Sequence, residues 1–191
     1  MGLDQYLITN SKAMSMAINK VDEEAPEYGA NWVKYRAETG IVAEWRKANQ
    51  IHKWFVHNVQ DSKDDCGYYE VEPEQLEELL EAVNEVLGST KLVKGWIRCG
   101  YTYDHNMNKV YNTREGMVLE DSSTARRLLP TQEGFFFGGT AYDQYYWEDL
   151  ESTKAQLEAI LETVEENEER WGWQFKGDDG WLLRLQYHSS W

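Results

Sequence analysis

Cysteine, proline, basic charge and long apolar runs are all scarce in this chain, and each shortage excludes something. Two cysteines, Cys66 and Cys99, are too few for a disulfide framework and show no C-x-x-C spacing, which points to a reduced, cytoplasmic setting. No stretch approaches the roughly 18 consecutive apolar residues that a membrane-spanning helix needs. The opening MGLDQYLITN lacks the basic, apolar, small-residue series of a secretory signal, so no membrane partner and no export are expected. With 19 Lys and Arg against 34 Asp and Glu, the formal net charge is −15, which disfavours direct binding to nucleic acid. Only three prolines interrupt the chain, so long regular elements are expected.

Cofactor and metal signatures are missing as well. His52 and His57 are five apart and do not share a helical face, so they are not a metal pair. Asp61, Asp64 and Asp65 miss the spacing of a calcium loop and read as a solvated turn. Gly134, Gly138 and Gly139 lack phosphate-loop spacing, and Ser122, Ser123, Ser189 and Ser190 sit in no nucleophile elbow. No cofactor and no metal are expected.

Aromatic residues are plentiful instead: 9 Trp and 12 Tyr are more than a core of this size requires. Some are left for contact surfaces, which is compatible with a homodimer. The chain's 191 residues can bury one core without staples, so residues 1–191 are read as a single domain. Charge is sorted along the chain. Residues 31–60 and 88–131 each carry a local excess of three basic groups, and the remaining segments hold the whole acidic surplus.

The patterning predicts a fold. Residues 2–9 are rich in β-formers and read as an opening strand; 10–30, with Pro26 and Gly29, read as a loop with one helical turn. Residues 31–44 suit one strand or an irregular lead into a helix over 45–60. Pro73 opens a helix whose Leu76, Leu79, Leu80, Val83, Val86 and Leu87 recur at helical spacing, with Gly88 closing it. Residues 91–120 switch to period two around a turn at 104–108, with Tyr101 and Tyr103 on the side of Val93 and Ile97 and with Arg98 opposite. Residues 134–138 read as a short apolar strand, and Thr140 to Asp143 as a capping box for a helix reaching about Arg170. Asp178 to Gly180 look like a hairpin turn before a strand ending the chain. QLEELLEAVNEV at 75–86 and QLEAILETVEEN at 156–167 echo each other, through duplication or through convergence of two acidic amphipathic helices. The predicted class is α+β, a single domain with a largely antiparallel sheet packed with about three amphipathic helices.

WRKANQIHKWFVHNVQ at 45–60 raises the sharpest functional question. On a helical wheel His52 falls among Ile51, Phe55, Val56 and Val59, whereas Arg46, Lys53, Trp54 and His57 fall on the opposite side. His52 is either a general base in a pocket or a neutral core histidine with a hydrogen-bonded partner. No Asp, Ser or Cys partner is legible in the sequence, so it is a weak catalytic candidate. Arg46, Lys53, Trp54 and His57, joined by Arg98 from the period-two segment, form a candidate surface for a small anionic ligand that also carries a ring. Glu74, Glu77, Glu78, Glu81 and Glu85 line the outer face of the 73–88 helix and form a candidate surface for a protein partner.

Three stretches together, MGLDQYL at 1–7, WRKANQIHKWFVHNVQ at 45–60 and LLPTQEGFFFGGTAYDQYYWEDL at 128–150, resemble a group of uncharacterised small proteins encoded by bacteriophages and prophages. Those share an MGLD-x-Y-L start, a WRKAN-x-IHKWFV helix and an LLPTQ-x-GFFFG segment. The resemblance implies an origin in a phage or mobile element, and a place in the host cytoplasm. It assigns no functional residues. Three functions stand open: an accessory protein that binds a host protein, plausibly a defence component, through its acidic helices; a protein that sequesters a nucleotide or another small anion; and an enzyme with His52 as base.

Overall fold

The computed structural model describes residues 2–19, 35–171 and 184–191, and the fold is α+β. Strand β1 (Asp4–Thr9) and helix α1 (Lys12–Ile18) are followed by α2, helical over 35–39, and by β2 (Ile41–Arg46). Next come α3 (Asn49–Asn58), β3 (Tyr68–Val71), α4 (Pro73–Ser89) and the hairpin of β4 (Leu92–Tyr103) and β5 (Lys109–Leu119). The short α5 (Ser123–Leu128), the long α6 (Gln144–Trp171) and β6 (Leu185–Ser190) complete the chain. The parts of the predicted 10–30 loop, of the 31–44 lead and of the closing strand that fall on residues 20–34 and 172–183, with the Asp178 to Gly180 turn, lie outside the described residues.

Strands β2, β1, β6 and β3 lie in that order in one antiparallel sheet, and the β4–β5 hairpin makes a second, two-stranded one. β1 alternates outward and inward, burying Gln5, Leu7 and Thr9. The free edge of β2 is covered by α6. Gln156 accepts from the Glu44 amide at 2.9 Å and donates to its carbonyl at 3.2 Å, while Trp45 Nε1 donates to Thr153 Oγ1 at 2.9 Å. An edge strand occupied in this way cannot template another chain.

The predicted helix beginning at Pro73 is present, capped by Glu72 and Gln75 and running one residue past Gly88. Its buried Leu76, Leu79, Val83 and Val86 pack in one core with Leu150, Leu157 and Ile160 of α6. The sequence echo therefore marks two helices that bury similar faces in the same core. Six helices are present among the described residues rather than three, because α1, α2 and α5 are too short to show a periodic stripe.

Two local expectations fail for identifiable reasons. The helix over 45–60 starts only at Asn49, because Trp45 and Arg46 belong to β2 and Lys47 sits at φ +63 between strand and helix. Residues 134–138 form a looped turn and no strand. The buried Asn49 side chain takes the backbone groups that a sheet would have used. It donates to the carbonyls of Phe137 at 3.0 Å and Gly139 at 2.8 Å, and accepts from the Gln132 amide at 2.8 Å. Gly138, at φ +90, is required here: a Cβ would lie 3.0 Å from Lys47 Cβ in a backbone conformation that side chains rarely adopt. The strand Asp4–Thr9 is tied into the same junction, since the residue before it, Leu3, donates to the Phe136 carbonyl at 3.1 Å and accepts from the Lys47 amide at 2.7 Å. The three stretches that carry the phage resemblance thus meet at one place.

Replacing Asn49 with alanine removes three hydrogen bonds and strands their backbone partners. Urea unfolding is expected to show a loss of about 2–4 kcal/mol at unchanged slope. A loss under about 0.5 kcal/mol would mean the junction holds without it.

Candidate functional site

A cleft of about 560 Å³ opens between this junction, the start of α6 and the β4–β5 hairpin. That volume lies in the range of small-molecule sites. One wall carries Arg46, Lys47 and Gln50, the second Gly138 to Ala141 with Tyr145 and Asp149, and the third Arg98, Tyr101, Lys109 and Tyr111. Most of the first two walls comes from the stretches that carry the resemblance.

The hairpin wall depends on a bulge. Register shifts between Arg98 and Gly100, with Gly100 at φ +142, so that Arg98 pairs with Thr113 and Tyr101 with Tyr111. Without the extra residue, period two would set Arg98 and Tyr101 on opposite faces, as the sequence alone suggests. With it, Arg98, Tyr101, Tyr103, Lys109 and Tyr111 share one face. The rings then hold the cations: Arg98 lies 4.2 Å above the Tyr111 centroid, and Lys109 lies 3.9 Å above that of Tyr101. Arg114 donates to the Tyr145 hydroxyl at 2.8 Å, tying the hairpin to α6.

Charge in the cleft is unusual for so acidic a chain. Arg46 has Asp4 at 3.5 Å, but Lys47, Arg98 and Lys109 have no carboxylate partner among the described residues. Three carboxylates share the lining: the exposed Glu148, and Asp143 and Asp149, which have different duties. Asp143, not Thr140, caps α6, and its Oδ1 accepts from the amides of Tyr145 and Tyr146. Asp149 makes no ion pair among the described residues, and its Oδ2 accepts from Gln50 Nε2 at 3.0 Å. Burial pushes the Asp149 carboxyl up to about 6, with Glu148 and Asp143 adding to the shift and the Gln50 amide opposing it.

Of the sequence candidates, the structure brings Arg46 and Arg98 into the cleft and leaves the others elsewhere. Lys53 is half-buried, and Trp54 is half-buried with its ring edge-on to Phe55 at 5.3 Å. His57 is exposed, 3.3 Å from Ser62 Oγ. Arg46 separates from them because it ends a strand, and Lys47 turns the chain before the helix begins. Glu74, Glu77, Glu78, Glu81 and Glu85 are all exposed on α4, Glu85 paired with Arg127. Lys109, Tyr101, Tyr111, Gln50 and Asp149 carry no sequence signal for a site beyond the glycine that permits the bulge and the overlap with the resembling stretches.

His52 lies apart from the cleft and is fully buried. Its Nδ1 is 2.9 Å from the Tyr187 hydroxyl and its Nε2 3.2 Å from Asp64 Oδ2. The Tyr187 hydroxyl donates to Gln5 Oε1 at 3.0 Å, and Gln5 in turn donates to the Ala48 carbonyl at 3.1 Å. Burial lowers the imidazole pKa below its ordinary value and outweighs the opposing pull of Asp64. The phenol of Tyr187 is pushed well up by its own burial. Phe137 packs edge-on to the imidazole at 5.2 Å, and Trp191 donates to Asp64 Oδ1 at 3.0 Å. This is a polar string through the core that reaches the surface at Asp64, with both imidazole nitrogens occupied by protein groups.

Among known proteins, no family model, curated protein or solved structure matches this chain significantly.

The raised Asp149 pKa fixes the sign of a stability effect. A carboxyl raised on folding is neutral at no cost below its unfolded value near 4, and the fold loses stability as pH rises from there through about 6. Asp149→Asn is expected to raise unfolding free energy at pH 7 by about 1–3 kcal/mol, each pKa unit being worth about 1.4 kcal/mol. The gain should vanish near pH 4. Urea unfolding at the two pH values checks it, and a destabilised variant at pH 7 would contradict it.

Proposed function

We propose that the protein binds a small anionic ligand with a ring, of the nucleotide class, in the cleft between the hairpin and the junction. One observation carries the reading. In a chain of net charge −15, four cations (Arg46, Lys47, Arg98 and Lys109) face one cleft of about 560 Å³, and three have no carboxylate partner among the described residues. Unneutralised cations gathered against the overall charge are costly to the fold and useful to a phosphate. Two of them are held by tyrosine rings, so little side-chain freedom is left to lose on binding. Tyr145, 47% exposed in the cleft and fixed at its hydroxyl, supplies an aromatic face for a ring. Binding without chemistry, as in sequestration, needs nothing more.

Thermal shift with a panel of nucleoside mono-, di- and triphosphates tests this, because a ligand that binds only the native state raises Tm. A clear rise is expected with at least one of them. Arg98→Ala combined with Lys109→Ala should weaken that ligand by about tenfold or more, given about 1.5–3 kcal/mol for each charged hydrogen bond. Failure of all nucleotides at millimolar concentration would overturn the reading.

A second reading has its own support. Exposed glutamates line α4, and Glu151, Glu158 (paired with Lys154) and Glu162 are exposed on α6, which packs against it; such rows suit a cationic surface on a host protein. In that reading the chain is a phage or mobile-element accessory protein acting in the host cytoplasm. Charge reversal at Glu77, Glu78 and Glu81 should abolish capture of a partner from host lysate. Capture that survives the reversal would remove the idea.

A further inference from the structure

The cleft contains two acceptors that phosphate binding leaves unused. Gln50 is 2% exposed, and its amide is oriented by the 3.0 Å bond from Nε2 to Asp149 Oδ2. That bond leaves Gln50 Oε1 and Asp149 Oδ1 as acceptors with no partner among the described residues. Neither atom is sealed from solvent, and both residues line the cleft. Both acceptors are thus reachable from solvent and available to a ligand.

Asp149 is out of place by charge. A cleft built for phosphate alone gains nothing from a carboxylate, which weakens the pull of Arg46, Lys47, Arg98 and Lys109. Asp143 is accounted for by capping α6, and Glu148 is exposed. Asp149 is then the carboxylate of the lining that is partly buried and neither caps a helix nor makes an ion pair among the described residues. A ligand that is anionic at one end and rich in donors elsewhere resolves the conflict.

We propose that Gln50 and Asp149 read a nucleobase edge carrying adjacent N–H donors, so that the cleft prefers guanine nucleotides to the other common bases. This rests on the nucleotide reading above. Guanine presents a ring N–H beside an exocyclic amino group, two donors in a row that a carboxylate oxygen and an amide oxygen can meet together. Adenine and cytosine each set a ring acceptor beside their amino group, and that acceptor would face an oxygen lone pair. Uracil offers one ring donor between two carbonyls. Hypoxanthine keeps the ring N–H of guanine and loses only the amino group, which makes it the cleanest probe.

Calorimetric titration of the full chain with GDP, IDP and ADP tests the assignment. The expected order is GDP tightest, IDP weaker by about tenfold or more and ADP weaker still, since a paired edge contact discriminates by a factor of about ten to a hundred. Asp149→Asn should bring GDP and IDP to within about threefold of each other while the phosphate contacts still hold both. Its melting curve, followed in parallel, reports whether the variant is folded. Equal affinity of the wild-type protein for GDP and IDP would overturn the base assignment and leave the nucleotide reading standing. Binding of none of the three would overturn both.

Discussion

One buried amide holds the cleft-bearing half of this molecule in place. Asn49 spends both donors of its side chain and its acceptor on the backbone of the 132–139 loop. Those bonds compensate main-chain groups that would otherwise be stranded beside the core. They also fix Gly138 and Gly139 as a wall of the cleft and hold Phe137 over the buried His52. The start of the chain is drawn into the same knot through Leu3 and Lys47. Fold and site are therefore one construction: the cleft lies against the place where three distant stretches of chain are tied together.

The two polar features of the molecule divide the work between them. The string from Asp64 through His52 and Tyr187 to Gln5 pairs its groups with one another and joins the α3 helix to the central strands of the sheet. Its titration destabilises the fold in acid: an imidazole pKa lowered by burial means that stability falls as pH drops below about 6.5 toward the folded value. The cleft is the opposite case. Its cations are open, its carboxyl at Asp149 is neutral only below about 6, and its polar groups point outward. Groups kept at a cost to stability are more informative about function than groups that satisfy each other.

Much of the fold was legible in the sequence, and the failures have physical causes. Helix α4 announced itself through Pro73 and an uninterrupted apolar stripe, and the hairpin through period-two residues flanking DHNMN. The start of α3 was hidden because Trp45 is buried either as a strand residue or as a helical one, so periodicity could not separate the two. GFFFGG reads as a strand by composition, and a side chain 88 residues away decides otherwise. Arg98 was visible as a candidate, but the bulge that sets Tyr101 beside it was not, since nothing in local sequence states which residue of a strand is the extra one. Gln50 and Asp149 escaped notice because their pairing spans 99 positions.

Occupation of the cleft between junction and hairpin by a phosphate-bearing ring can be read out residue by residue. The most direct measurement is a backbone-amide NMR titration with GDP. Shifts are expected to concentrate in residues 46–50, 98–111 and 138–149, with α4 unmoved. Shifts centred on the α4 glutamates, or an unchanged spectrum at millimolar nucleotide, would contradict it.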